Sequence, residues 1–276
     1  MGVAFALAVG SVVVPSPAPA QQLVSTGGSF LQATLLPGGR MADGRQSAAL
    51  VLEVKPGWKT YWRQPGEAGV PPEFDWSGSQ NLDALEIAWP APTPFESFGY
   101  MTLGYGGRVV LPLALTPVDH GRPVELGLDA RFGVCREICV FEEVALNETV
   151  WPDATSIHDG VIAAAQGMLP GGPSETGARV LECRLAGAGA ERALEARLSL
   201  PETASEPVVV VEGPAGAWVG AQSTEVEGGE IALNATVMLP EGTAWVDRSD
   251  IRFTLLGEGL GATAAAELNG CRPTES

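Results

Sequence analysis

Cys135 and Cys139, with three residues between them, are the side chains of this sequence best placed to do chemistry. They stand where two strand-like runs meet at a short turn. A three-residue hairpin loop of Arg136, Glu137 and Ile138 would set the two cysteines face to face on adjacent strands. Their Cα atoms would then lie about 4.5–5.5 Å apart, within reach of a disulfide. A bond closing so short a loop stabilises the fold by only about 2 kcal/mol, and a hairpin held by its own ladder needs it little. Bonds across tight turns are also the more readily reduced ones. The pair therefore points to thiol–disulfide exchange, in which a thiolate attacks a partner disulfide and the second cysteine resolves the mixed disulfide. Arg136 favours a neighbouring thiolate and Glu137 opposes it, so local charge does not choose the attacking sulfur. Two other readings stand beside this one: a plain staple, and a Cu(I) site, since two soft thiolates suit that ion. A closed zinc site needs four ligands, and the only histidines are His120 and His158.

The other two of the four cysteines, Cys183 and Cys271, lie near the ends of a later segment. An even number fits an oxidising compartment. A bond between them would close a long loop worth about 4.6 kcal/mol in the chain-entropy model, so a structural disulfide is its natural job. It would join the first and last strands of that segment, which neighbour each other in many sandwiches.

The elements that must position these residues read as β throughout. Thirty-five Gly and 22 Pro interrupt the chain, and few long helical patterns occur. Over 22–151, short alternating runs at 48–54, 108–115 and 124–132 are separated by turns, the pattern of an antiparallel sandwich. A linker over 152–176 holds one short helix at 156–168, followed by the breaker Leu169-Pro170-Gly171-Gly172-Pro173-Ser174. Residues 177–276 form a second, smaller β-sandwich with strands at 178–185, 192–200, 208–212, 230–239 and 251–256.

Residues 1–20 contain no Asp, Glu, Lys or Arg, and an apolar run over 3–14 precedes Ala18-Pro19-Ala20. This is the pattern of a secretory signal peptide cleaved near Ala20. The run is too short and too broken by proline to span a bilayer, and no later segment comes close, so no membrane insertion is expected. The formal charge of −17, from 33 acidic and 16 basic residues, argues against a nucleic-acid partner. No Gly-x-Ser-x-Gly elbow, phosphate-cradling loop or His-rich motif occurs, so neither a cofactor nor a metal ligand set is expected.

A longer string of motifs carries a family resemblance. Gly57-Trp58-Lys59-Thr60-Tyr61-Trp62-Arg63-Gln64-Pro65-Gly66-Glu67-Ala68-Gly69-Val70-Pro71-Pro72 is followed by Trp89-Pro90-Ala91-Pro92, Gly104-Tyr105, Val109-Val110-Leu111-Pro112 and the cysteine pair. Residues 45–150 thereby resemble the N-terminal periplasmic domain of the DsbD thiol:disulfide interchange reductases, in the branch related to the ScsB copper-tolerance proteins. The resemblance implies an immunoglobulin-like domain in the periplasm, with Cys135 and Cys139 as the exchanging pair. It implies two kinds of partner, a membrane-embedded thiol reductase that donates electrons and periplasmic thiol–disulfide proteins that receive them. It also implies an aromatic cap over the pair, drawn from Phe95, Phe98 or Tyr100, though these aromatics also read as sandwich core. Trp58, Tyr61 and Trp62 read as packing residues, and Arg63 and Glu67 as a pair with each other or as lining of the site. The transmembrane and thioredoxin-like domains of the family have no counterpart in this sequence, so the exchange would depend on a separate electron donor. A non-enzymatic docking or Cu(I)-binding module is the competing class.

Overall fold

Alternation of buried and exposed side chains with a period of two carries most of the chain into strands. The structure is a computed structural model. It describes residues 25–66, 68–97, 99–152, 155–205, 207–243 and 246–271. The expected signal peptide, Glu67 and Phe98 lie outside the described residues.

The first half contains β1 (Ser25–Gly27), β2 (Leu31–Arg40), β3 (Gln46–Val54), β4 (Lys59–Gly66), β5 (Glu73–Asp75), β6 (Leu82–Ile87), β7 (Thr93–Ser97), β8 (Tyr100–Gly106), β9 (Arg108–Pro117), β10 (Val124–Cys135) and β11 (Cys139–Val150). Two sheets result, ordered β1-β2-β3-β9-β6 and β11-β10-β4-β8-β7, with β5 added on β10. All of their pairings are antiparallel. Leu31, Leu50 and Leu111 from one sheet and Trp62, Leu128 and Phe132 from the other fill the core between them. This is the all-β sandwich that the alternating runs predict. Its longest pairing, β10 with β11, runs without a register break from Val124 opposite Val150 to Cys135 opposite Cys139. The cysteines therefore sit at the end of a stiff ribbon.

The connection that follows holds α1 (Asp159–Gln166) and α2 (Pro173–Thr176). The helix is shorter than the 156–168 expected from sequence. It lies against the first sandwich, where Ile162 and Ala165 are buried among Leu36, Ala49, Val51 and Val110.

The second half contains β12 (Arg179–Ala186), β13 (Glu191–Ser199), β14 (Val208–Glu212), β15 (Trp218–Glu227), β16 (Glu230–Met238), β17 (Arg252–Leu256) and β18 (Ala265–Asn269). Of these, β15 and β18 are strands the sequence reading did not place. They complete a sheet ordered β12-β13-β16-β15 and another ordered β14-β17-β18. The three-stranded sheet is buried on both faces. Val209, Val211, Phe253, Leu255, Ala266 and Leu268 point into the core shared with the four-stranded sheet. Val210, Leu256 and Ala265 join the core of the first half instead. Two-sided burial explains why Val208–Val211 is continuously apolar rather than alternating.

Cys183 and Cys271 form a disulfide with Cα atoms 5.1 Å apart. The expected arrangement, neighbouring first and last strands, is not what the fold contains. Cys183 is on β12, whereas Cys271 follows β18 in the other sheet, so the bond ties the two sheets of the second half together. β12 is an edge strand of the four-stranded sheet, while β18 takes its hydrogen bonds from β17 in the other sheet.

Candidate functional site

The disulfide joins Cys135 to Cys139 at a Cα separation of 4.1 Å, closer than ordinary cross-strand neighbours. The connecting loop is the three-residue turn that the spacing implied, with the Arg136 N–H donating to the Ile138 carbonyl at 3.0 Å. Its two ends differ in access: Cys135 is buried, 2 % exposed, and Cys139 is exposed.

On the side of β10 away from β11 lies β4, where Lys59 stands opposite Cys135 and Thr60 opposite Val134. Cross-strand partners share a face, so Cys139, Cys135 and Lys59 form one row across three strands. Two residues along, Tyr61 returns to that face. Gly133 makes room for it, since a Cβ there would meet two Tyr61 ring carbons at 3.2 and 3.3 Å. The Thr60 hydroxyl, donating to the Gly133 carbonyl at 3.0 Å, holds the two strands in register at this point.

The Tyr61 hydroxyl reaches the disulfide, 3.0 Å from Cys135 Sγ and 3.7 Å from Cys139 Sγ. Sulfurs joined to each other carry no proton, so the phenol is the donor. Burial pushes the Tyr61 pKa above its ordinary 10.0, with the neighbouring Ser97 hydroxyl pulling more weakly the other way. The phenol therefore stays protonated, as a donor must be. Phe95 stacks across Tyr61, with ring centroids 6.1 Å apart and planes at 25°. The Lys59 ammonium rests over the Phe95 ring, 4.1 Å from its centroid, a cation–π contact that puts a positive charge on the ring stacked against Tyr61.

The structure thus sorts the residues singled out from sequence. It brings Phe95 to the site through Tyr61 and leaves Tyr100 in solvent, 51 % exposed, at the tip of the β7–β8 hairpin. Trp62 is fully buried in the core, and Trp58 stacks on Phe30 at 3.9 Å, both as packing residues. Tyr61, read as packing too, instead touches both sulfurs. Period-two alternation gives it the same pattern as any strand residue, and its role becomes visible only when β4 is laid beside β10. Arg63 pairs across the molecule with Glu212 at 2.9 Å and with Glu267 at 2.6 Å, partners that sequence proximity to Glu67 did not suggest. Among the described residues, no group of three or more His, Cys, Asp or Glu side chains is clustered as a metal site. No described helix is long and apolar enough to cross a membrane.

Residues 32–152 match the family described as thiol:disulfide interchange protein DsbD, N-terminal. The matched stretch takes in the sandwich of the first half and its hairpin disulfide. Among solved structures, the N-terminal periplasmic domain of ScsB from Proteus mirabilis superposes with a TM-score of 0.62 at 22 % identity, covering 90 % of this chain and 95 % of that one. The overlay extends well beyond the family segment, so both halves share the fold of that domain, an immunoglobulin-like β architecture. No curated protein matches the chain.

Proposed function

We propose that this chain is an exported, periplasmic thiol–disulfide exchange protein that uses Cys135 and Cys139 and draws electrons from a membrane-embedded thiol reductase. The observation that carries the reading is the asymmetry of the pair: an exposed Cys139 joined to a buried Cys135 under the Tyr61 hydroxyl. The family match over 32–152 supports it, as does the likeness to a periplasmic domain of ScsB.

The asymmetry assigns the steps. In the reduced protein the Cys139 thiolate attacks one sulfur of a partner disulfide, forming a mixed disulfide and releasing the partner's other sulfur as a thiolate. The Cys135 thiolate then attacks Cys139 Sγ. This re-forms the internal disulfide and releases the partner with two electrons gained. The donor reductase reverses the sequence, its thiolate attacking Cys139, which leaves Cys135 as the departing thiolate. Tyr61 donates to that sulfur, and its hydrogen bond stabilises the thiolate as it departs. Cys183–Cys271 takes no part and serves as the structural disulfide, with Cys271 buried and its bond closing a long loop. In domain terms, 22–151 is the exchange domain, 152–176 the connection, and 177–276 the accompanying sandwich.

A redox titration of the mature protein against glutathione or dithiothreitol, with thiol trapping and mass mapping, tests the reading. Reversible reduction of Cys135–Cys139 while Cys183–Cys271 stays closed is the expected result. Equal resistance of both bonds would sink it.

A further inference from the structure

The strand that carries Tyr61 is poorly held by its own ladder. Against β10, β4 pairs only at Lys59 and Thr60. Against β8 its register breaks between Tyr61 and Gly66. Side chains must therefore fix the backbone just beyond Tyr61, and two do so: Trp62, fully buried, and Arg63.

Arg63 is gripped from the other half of the molecule. Its Nε donates to Glu212 Oε2 at 2.9 Å, and its Nη2 donates to Glu212 Oε1 at 2.9 Å and to Glu267 Oε2 at 2.6 Å. The guanidinium also covers the Trp62 ring at 4.4 Å. The three side chains are largely buried, 16, 17 and 21 % exposed. Arg252 approaches the same carboxylates, 3.7 Å from Glu212 and 3.6 Å from Glu267, so two positive and two negative charges balance. Burial works against the Arg63 charge, and the two carboxylates outweigh it. Glu212 and Glu267 alternate with Val210 and Ala265 on the face of the three-stranded sheet turned to the first half. The contact is thus built into that sheet rather than made by a loose loop.

We infer that Arg63, held by Glu212 and Glu267, is a positioning residue through which the second half fixes the Tyr61 hydroxyl on the disulfide and so biases the pair toward its reduced form. The inference rests on the exchange reading above. Its physical basis is that a hydroxyl donates more strongly to a thiolate than to a disulfide sulfur. Fixing the donor in place therefore stabilises the thiolate state, and loosening it makes the pair harder to reduce.

Equilibration of the full chain with glutathione, read by thiol trapping, tests this. Tyr61→Phe should lower the equilibrium constant for reduction by about tenfold, a shift of ~30 mV. Arg63→Met and Glu212→Gln should each lower it by about threefold, as weakened positioning rather than a lost donor. Neither should lower it further when combined with Tyr61→Phe. Glu212→Gln keeps the side-chain shape, lies 149 residues from Arg63 in sequence, and carries the test if Arg63→Met fails to fold. A constant unchanged in Glu212→Gln beside a shifted Tyr61→Phe would overturn the inference, as would additive effects in the double variants. A pair that never cycles in the unaltered protein would overturn the exchange reading itself, and the clamp role with it.

Discussion

The ring of Tyr61 packs directly on Gly133, where a Cβ would stand only 3.2 Å from it. The ring lies flush against β10 where that strand carries no side chain, and from there its hydroxyl reaches the disulfide. Gly133→Val should push the ring aside and reproduce the redox shift of Tyr61→Phe with both cysteines and the phenol intact. Overpacking should cost about 1–3 kcal/mol of stability as well. Glutathione equilibration and urea denaturation of the same variant measure the two effects separately.

The unequal exposure of the two cysteines predicts unequal behaviour of the single variants. Cys135→Ser leaves Cys139 exposed, and it should form a stable mixed disulfide with a small aromatic disulfide or a partner protein. Cys139→Ser leaves a buried thiol and should react at least about tenfold more slowly. Rates measured with a chromogenic disulfide decide the point, and equal rates would remove the assignment of Cys139 as the attacking sulfur.

Cys183 and Cys271 tie two sheets across a long loop. Replacing both with alanine should cost about 2–5 kcal/mol in chemical denaturation. The glutathione equilibrium of Cys135–Cys139 should stay where it is, because nothing in that pair's row or under Tyr61 touches the second bond.

Tyr105 gives the protein an alkaline limit. Its hydroxyl is buried and donates to the Pro90 carbonyl at 2.7 Å. Burial pushes its pKa far above the ordinary 10.0, while Arg63 draws it down weakly. Because the folded pKa is raised, the protein keeps its full stability below pH 10 and loses it as pH climbs from there toward the folded value. Melting temperatures should be flat to about pH 10 and then fall. Tyr105→Phe should flatten the fall, at a cost of about 1–2 kcal/mol at neutral pH for the lost hydrogen bond.

The cysteine hairpin was legible in sequence because its information is local: three residues between two alternating runs fix a loop, a register and a facing pair. Strands such as β14 and β16 were legible for the same reason. What escaped was non-local or weakly patterned. Trp218–Glu227 carries Gly220, Gln222, Ser223 and Thr224 at a sheet edge, and Ala265–Asn269 is short and poor in β-branched residues, so neither reads as a strand. Arg63 meets its partners 149 and 204 residues away, and no short-range rule connects them. Tyr61 was hidden by the ambiguity of alternation, which marks a face without saying what lies on it. The unbroken apolar run at Val208–Val211 was the one visible sign that a strand is covered on both sides.

That double cover decides how the molecule comes apart. A sheet contributing Val210, Leu256 and Ala265 to one core and Val209, Phe253 and Leu255 to the next cannot melt in one half and survive in the other. Both halves should therefore be lost in one cooperative transition. Cutting the chain at the connection would not yield an independent exchange domain. It would expose the apolar surface that β14, β17 and β18 now cover and leave the Arg63 charge without its acids.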